Sequence, residues 1–202
     1  MRLSVLASQV EPHFLFNTLS GVRAAMLSDP ARGVVIIDHL VDYLRSTIPQ
    51  MRSDGQMHLI SVEHQFNSVR SYLGVIRTRI PRLSFSIECE AELQHCAIAP
   101  LMLISLVENA VKHGIEPKKG PVHIAVSAYK VRLPEGEMLA ISVKDNGVGF
   151  GGSSGATSGT GIGLSNIRER LKQLYEDRAS LSLLASESGG VEAIIQLPIF
   201  QA

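Results

Sequence analysis

The stretch from Leu103 to Gly114, Leu-Ile-Ser-Leu-Val-Glu-Asn-Ala-Val-Lys-His-Gly, constrains this chain more than any other. Read as a helix that opens near Pro100 and turns about 100° per residue, it divides into two arcs. Leu103, Ile104, Leu106, Val107, Ala110 and Val111 form an apolar arc that has to face a core. Ser105, Glu108, Asn109, Lys112 and His113 share the other arc. A carboxylate, an amide, an ammonium and an imidazole within two turns can hold a metal through oxygen and an anion through nitrogen. The same set also fits a solvated face on which Glu108 and Lys112 form an ordinary i,i+4 pair.

Two later stretches bear on that choice. Asp145-Asn146-Gly147-Val148-Gly149-Phe150 follows an alternating strand, and Gly159-Thr160-Gly161-Ile162-Gly163-Leu164 opens a helix. In this order the three stretches resemble the N, G1 and G2 boxes of the ATP-binding fold shared by gyrase, the 90-kilodalton heat-shock chaperone, histidine kinases and mismatch-repair ATPases. A carboxylate at a strand end can accept a hydrogen bond from an amino group, and Gly147 and Gly149 allow a close backbone approach. Asp-Asn-Gly is also a common turn. Backbone amides at a helix start attract phosphate. Gly159 to Leu164 is not a P-loop, since no Gly-Lys-Ser/Thr follows, and a loop rather than a strand precedes it. Phe150 to Ser158 has no apolar period and fits either a short lid over nucleotide or a plain loop.

The chain has 202 residues, room for one large domain or two small ones, and 45% of them are hydrophobic, ample for a core. Basic and acidic residues balance at 19 each, so no global charge points to nucleic acid or a membrane surface. Cys89 and Cys96 have neither zinc nor redox spacing and read as buried or free thiols in a reducing compartment. No apolar run is long enough to span a bilayer. The expected location is cytoplasmic, as the cytoplasmic portion of a longer receptor that could itself be membrane-bound.

Residues 3–27 read as a helix with two apolar stripes. One holds Leu15, Leu19, Val22 and Met26, the other Leu3, Leu6, Val10 and Phe14. Two stripes suggest a bundle core shared with a second chain. Pro12 interrupts the helix just before His13, at the cost of a hydrogen bond. Ser28-Asp29-Pro30 is a turn, and residues 31–48 form a second helix with Val34, Ile37, Leu40, Val41, Leu44 and Ile48 as its stripe. Pro49 to Gln56 reads as a linker. Ser61 is a good N-cap for a helix over 62–79. Leu83 to Cys89, Val122 to Val131 and Met138 to Lys144 alternate as half-buried strands. A helix carrying Leu164, Ile167, Leu171 and Leu174 follows, then a hairpin that turns at Gly189-Gly190.

Gln9-Val10-Glu11-Pro12-His13-Phe14-Leu15-Phe16-Asn17-Thr18-Leu19 resembles the phosphoacceptor box of LytS-type sensor histidine kinases. Tyr72-Leu73, Ile76, Arg77 and Arg79 resemble the pattern that precedes the ATP-binding core of that family, although both arginines also read simply as solvent-exposed. Glu11 stands where the family commonly has Asn. The resemblance covers nearly the whole chain. It implies an α+β protein: a helical dimerisation and phosphoacceptor hairpin over 1–55, then a Bergerat-type α/β sandwich over 56–202. A mixed sheet there is covered by helices on one face. It further implies ATP and Mg²⁺, with Asn109 giving the metal an oxygen, Lys112 and His113 touching phosphate, and Glu108 orienting water or taking a proton. Asp145 reads adenine, Gly147 and Gly149 flank the base, and Gly159, Thr160, Gly161, Gly163 and Leu164 wrap the phosphates. His13 would be the nucleophile, and a response regulator of LytTR type the recipient. The partners implied are thus a second copy, joined through 1–55, and that regulator, with no nucleic acid. Two other classes fit the same residues: an adenine-nucleotide-binding regulatory module without phosphotransfer, and an ATPase in which Glu108 activates water.

Overall fold

The computed structural model describes residues 12–51, 59–134, 136–150, 160–186 and 189–200; the side chains of residues 12, 13, 49–51 and 160–162 stand outside that description. Helices α1 (Pro12–Ser28) and α2 (Pro30–Met51) form an antiparallel hairpin with a one-residue break at Asp29. Asp29 makes the break: its Oδ1 accepts the Arg32 backbone N–H at 3.1 Å, and Pro30 opens α2 where a missing N–H costs nothing. The helix expected over 31–48 is longer. It runs through Pro49 to Met51, so the N-terminal part of the expected linker is helical and the rest of it lies outside the described residues.

Short strands β1 (Ile60–Ser61) and β3 (Ala97–Ile98) pair antiparallel beside the main sheet. Ser61 caps helix α3 (Val62–Arg79), accepting the His64 N–H at 3.2 Å. Strands β2 (Leu83–Cys89), β4 (Val122–Leu133), β5 (Gly136–Asp145), β6 (Ser180–Ala185) and β7 (Val191–Pro198) form a five-stranded sheet in the order β2-β4-β5-β7-β6. Only β2 and β4 run parallel, so the sheet is mixed. Helices α4 (Met102–Asn109) and α5 (Thr160–Tyr175) join α3 on one face. The alternation in β4 shows why: Val122, Ile124, Val126 and Ala128 are buried beneath the helices, while His123, Ala125, Ser127 and Tyr129 on the other face are half-exposed.

The hairpin packs on α3 and joins the same core. Ile36, Leu40, Tyr43 and Thr47 of α2 are buried, as are Phe14, Thr18 and Ala25 of α1. The stripe expected on α2 is therefore rotated. Leu40 belongs to the core, but Val34, Ile37 and Val41 face outward. Leu19 and Met26 of the α1 stripe are exposed as well, with Leu15 and Val22 half-buried. The arginines on α3 are engaged: Arg79 pairs with Glu116, and Arg77 lies 5.5 Å over the Phe85 ring. Both cysteines are free thiols, Cys96 buried and Cys89 partly so. Among the described residues no helix is long and apolar enough to cross a membrane.

Candidate functional site

Two features of α4 differ from a regular helix opening near Pro100. It begins at Met102, after Leu101 in a left-handed conformation, φ 63°. A branched side chain is strained there. Gln65 holds both flanks: its Nε2 donates to the Ala99 carbonyl, and its Oε1 accepts the Leu103 N–H at 3.0 Å. After Asn109 the backbone widens into a π-helical segment, Ala110–Ile115, with the Glu116 N–H reaching back five residues to the Val111 carbonyl at 2.9 Å. Such turns are rare and concentrate at functional sites. The polar arc is therefore not one regular α-helical face. Asn109 and His113 line a cavity, Lys112 is exposed, and Glu108 points elsewhere, toward α2.

That cavity measures about 350 Å³ and opens between α4, α5 and the sheet. Leu106, Val143, Leu164, Leu183 and Ala193 give it apolar walls. Asp145, the last residue of β5 and 4% exposed, stands in it as a buried carboxylate. Its Oδ1 accepts the Gly147 N–H at 2.7 Å and its Oδ2 the Val191 N–H at 3.3 Å. Burial pushes the Asp145 carboxyl up from its ordinary pKa, and the two backbone N–H groups and Lys118 hold it back. Each carboxylate oxygen keeps a lone pair beyond these bonds, so the group can accept a further donor from a ligand.

The backbone closes around Asp145 at two glycines. A Cβ on Gly114 would lie 2.5 Å from Asp145 Oδ1, and one on Gly190, at φ +84°, would overlap the same carboxylate and its carbonyl. Only hydrogen fits at either position. Gly147 packs on the Gly114 backbone, and Val148 N–H donates to the Gly114 carbonyl at 3.2 Å. Gly149 adopts φ +69° beside Gly190. The turn is fixed from below by Asn146, whose Oδ1 accepts the His123 N–H at 2.7 Å, and by Lys118, which donates to the Asn146 carbonyl.

At the other end Asn109 Nδ2 donates to the Ser105 carbonyl at 2.9 Å, which fixes the amide and leaves Oδ1 as its acceptor. Gly163 in the first turns of α5 approaches it so closely that a Cβ would stand 3.1 Å from Nδ2. An amide oxygen suits a hard cation, and a helix start suits phosphate. His113 is kept below its ordinary pKa first by burial and then by Lys112, with Glu116 opposing, so it meets a ligand as neutral imidazole at neutral pH.

The residues singled out from sequence thus come together in part. Asn109, His113, Asp145, Gly149 and Leu164 line the cavity, while Gly147 and Gly163 pack against its lining residues. Thr160 and Gly161 belong to the first turn of α5 without described side chains, and Gly159 lies outside the described residues. His13 stands in the first turn of α1, its side chain likewise undescribed. Sequence reading missed Gly114, Gly190 and Val191, which enclose the carboxylate, and Tyr43, whose hydroxyl reaches Glu108 Oε1 at 3.4 Å.

Comparison with known proteins agrees with this geometry. A model described as "Histidine kinase" matches residues 1–83, and one described as "Histidine kinase-, DNA gyrase B-, and HSP90-like ATPase" matches residues 100–201. The sensor histidine kinase YesM of Bacillus subtilis is 31% identical over 199 residues, which are 97% of this chain and 33% of that protein. The sensor protein LytS of Staphylococcus saprophyticus is 31% identical over 194 residues, 91% of this chain and 32% of that one. The chain thus spans about a third of the length of these curated relatives. Among solved structures, the histidine kinase domain of a blue-light activated kinase from Erythrobacter litoralis shares the fold, with a TM-score of 0.52 at 15% identity over 91% of this chain and 94% of its own. With the family models spanning nearly all of the sequence, from the proline-histidine helix to the last strand, the chain belongs to the histidine kinase family and carries its ATPase-like domain of the gyrase and heat-shock chaperone type.

Proposed function

We propose that this chain is the kinase region of a LytS-type sensor histidine kinase. In this reading it uses ATP to phosphorylate His13 and passes the phosphoryl group to an aspartate of a response regulator, of LytTR type. The observation that carries the reading is the buried Asp145 carboxylate in an apolar cavity bordered by Asn109 and His113. The two backbone N–H groups on Asp145 aim the carboxylate, which accepts the exocyclic amine of adenine, while Leu106, Val143 and Leu164 sandwich the flat base. The phosphates then run along Asn109 and His113 toward the glycines at the start of α5. Asn109 Oδ1 would hold Mg²⁺, which would supply neutralisation of charge on the phosphate oxygens. Lys112, exposed on the same segment, reaches the phosphates from outside.

The chemistry is a displacement at phosphorus. A lone pair on a neutral His13 ring nitrogen forms the N–P bond, and the bond from the γ-phosphorus to the bridging oxygen breaks with its electrons leaving on ADP. The proton on the other ring nitrogen passes to Glu108. Residues 1–55 form the acceptor and dimerisation segment and 56–202 the ATP-binding domain. Phe16, Leu19, Leu27, Val34, Val35 and Val41 are exposed apolar residues on the hairpin, a face that fits a second copy. The region acts in the cytoplasm, as part of a longer and membrane-bound receptor.

Incubation with γ-labelled ATP and Mg²⁺ tests this reading. Acid-labile, base-stable label is expected on the wild type and none on His13→Gln. The rate should fall on acidification, because a protonated imidazole has lost its nucleophilic lone pair. Label that persists in His13→Gln would place the acceptor elsewhere.

A further inference from the structure

Three aromatic rings join the acceptor hairpin to the ATP-binding part of the same chain. Phe14 of α1 lies 5.2 Å from Tyr72 of α3 and 5.4 Å from Tyr43 of α2, and the two tyrosine rings stand 5.6 Å apart. All three are buried, Tyr43 to 1% exposure. Phe14 directly follows His13, so the acceptor's turn of α1 is anchored at this cluster. From the cluster the Tyr43 hydroxyl points across to α4 and meets Glu108 Oε1 at 3.4 Å. Glu108 directly precedes Asn109. The ring could fill the core as Phe or Leu. What its hydroxyl adds is a donor to the one carboxylate on α4 that the cavity does not use.

We propose that Tyr43 is a positioning residue for phosphoryl transfer: its hydroxyl orients Glu108 toward the acceptor helix and ties nucleotide binding at α4 to the placement of that helix. The inference rests on the kinase reading above. Glu108 turns away from the cavity and toward the helical hairpin whose first helix carries His13. A phenol held at the carboxylate restricts how Glu108 can turn on the side facing the hairpin. The separation is long for a hydroxyl–carboxylate bond, as such contacts are before substrate draws a site together.

The test compares wild type, Tyr43→Phe, Glu108→Gln and the double variant. Single-turnover labelling at saturating Mg·ATP gives the rate. Titration with a fluorescent ATP analogue gives affinity. Hydrogen exchange over residues 39–47, with and without nucleotide, reports the link itself. Tyr43→Phe keeps the ring, so it should bind the analogue as wild type does. It should label about 10-fold more slowly, a fraction of what a positioned acid or base contributes. It should slow Glu108→Gln no further, because the hydroxyl acts through that carboxylate. Wild-type labelling by Tyr43→Phe, or an equal slowing in the Glu108→Gln background, overturns the proposal. If wild type binds nucleotide and labels nothing, the kinase reading fails by itself and hydrogen exchange decides the link. Nucleotide-induced protection of 39–47 that is lost in both single variants upholds it. Protection equal in all forms, or absent from wild type, overturns it. Should Tyr43→Phe fold poorly, Glu108→Gln carries the same exchange test.

Discussion

Asp145 shows how one buried charge can be both a cost and a recognition element. Its desolvation is offset only in part by the N–H groups of Gly147 and Val191, and in the proposed adenine site an incoming amine would supply a third donor. Asp145→Asn offers one acceptor oxygen where three donors converge. A hydrogen bond to a charged group contributes about 1.5–3 kcal/mol, so ATP affinity should drop roughly 10- to 100-fold in calorimetric titration. Affinity kept within twofold would remove Asp145 from the adenine site. The residue was legible from sequence because it ends an alternating strand just before Asn-Gly. Its cage was not. Val191 comes from 46 residues downstream and Gly114 from the π-helical segment that follows α4, and Gly189-Gly190 reads in sequence as no more than a hairpin turn. Close approach between distant backbones leaves no periodic trace.

At the scale of elements, the sheet was legible because a half-buried strand writes a two-residue period. The Val122–Val131 and Met138–Lys144 runs lie within β4 and β5. The irregular ends of α4 were not, since an apolar stripe survives a left-handed residue before the helix and a widened turn after it. What holds the strained start is a buried side chain on another helix. Gln65, 2% exposed, bonds the Ala99 carbonyl and the Leu103 N–H on either side of Leu101. Gln65→Leu fits the space but leaves both backbone groups without partners, at about 1–3 kcal/mol each. A lower denaturant midpoint with an unchanged slope is the expected result. An unchanged midpoint would show that Leu101 is held by something else.

At the scale of the whole molecule, the hairpin presents two faces. One, with Phe14, Tyr43 and Thr18, is sealed against α3, and the other leaves Phe16, Leu19, Val34 and Val41 in solvent. The sequence shows the stripes but not which of them turns inward, because both are apolar and only the position of α3 decides. If the outer face joins two copies, Leu19→Asp with Val41→Asp should turn a dimer into a monomer in sedimentation, with little change in ATP affinity. A variant that stays dimeric would move the interface elsewhere. The sealed face has a practical side. The chain contains four tyrosines and no tryptophan. Two of those phenols, Tyr43 and Tyr72, sit at the junction between the hairpin and α3, with Glu108 beside one of them. Tyrosine emission from this chain is not masked by energy transfer to indole, so separation of the helical hairpin from α3 has a built-in optical signal that needs no dye and no engineered probe.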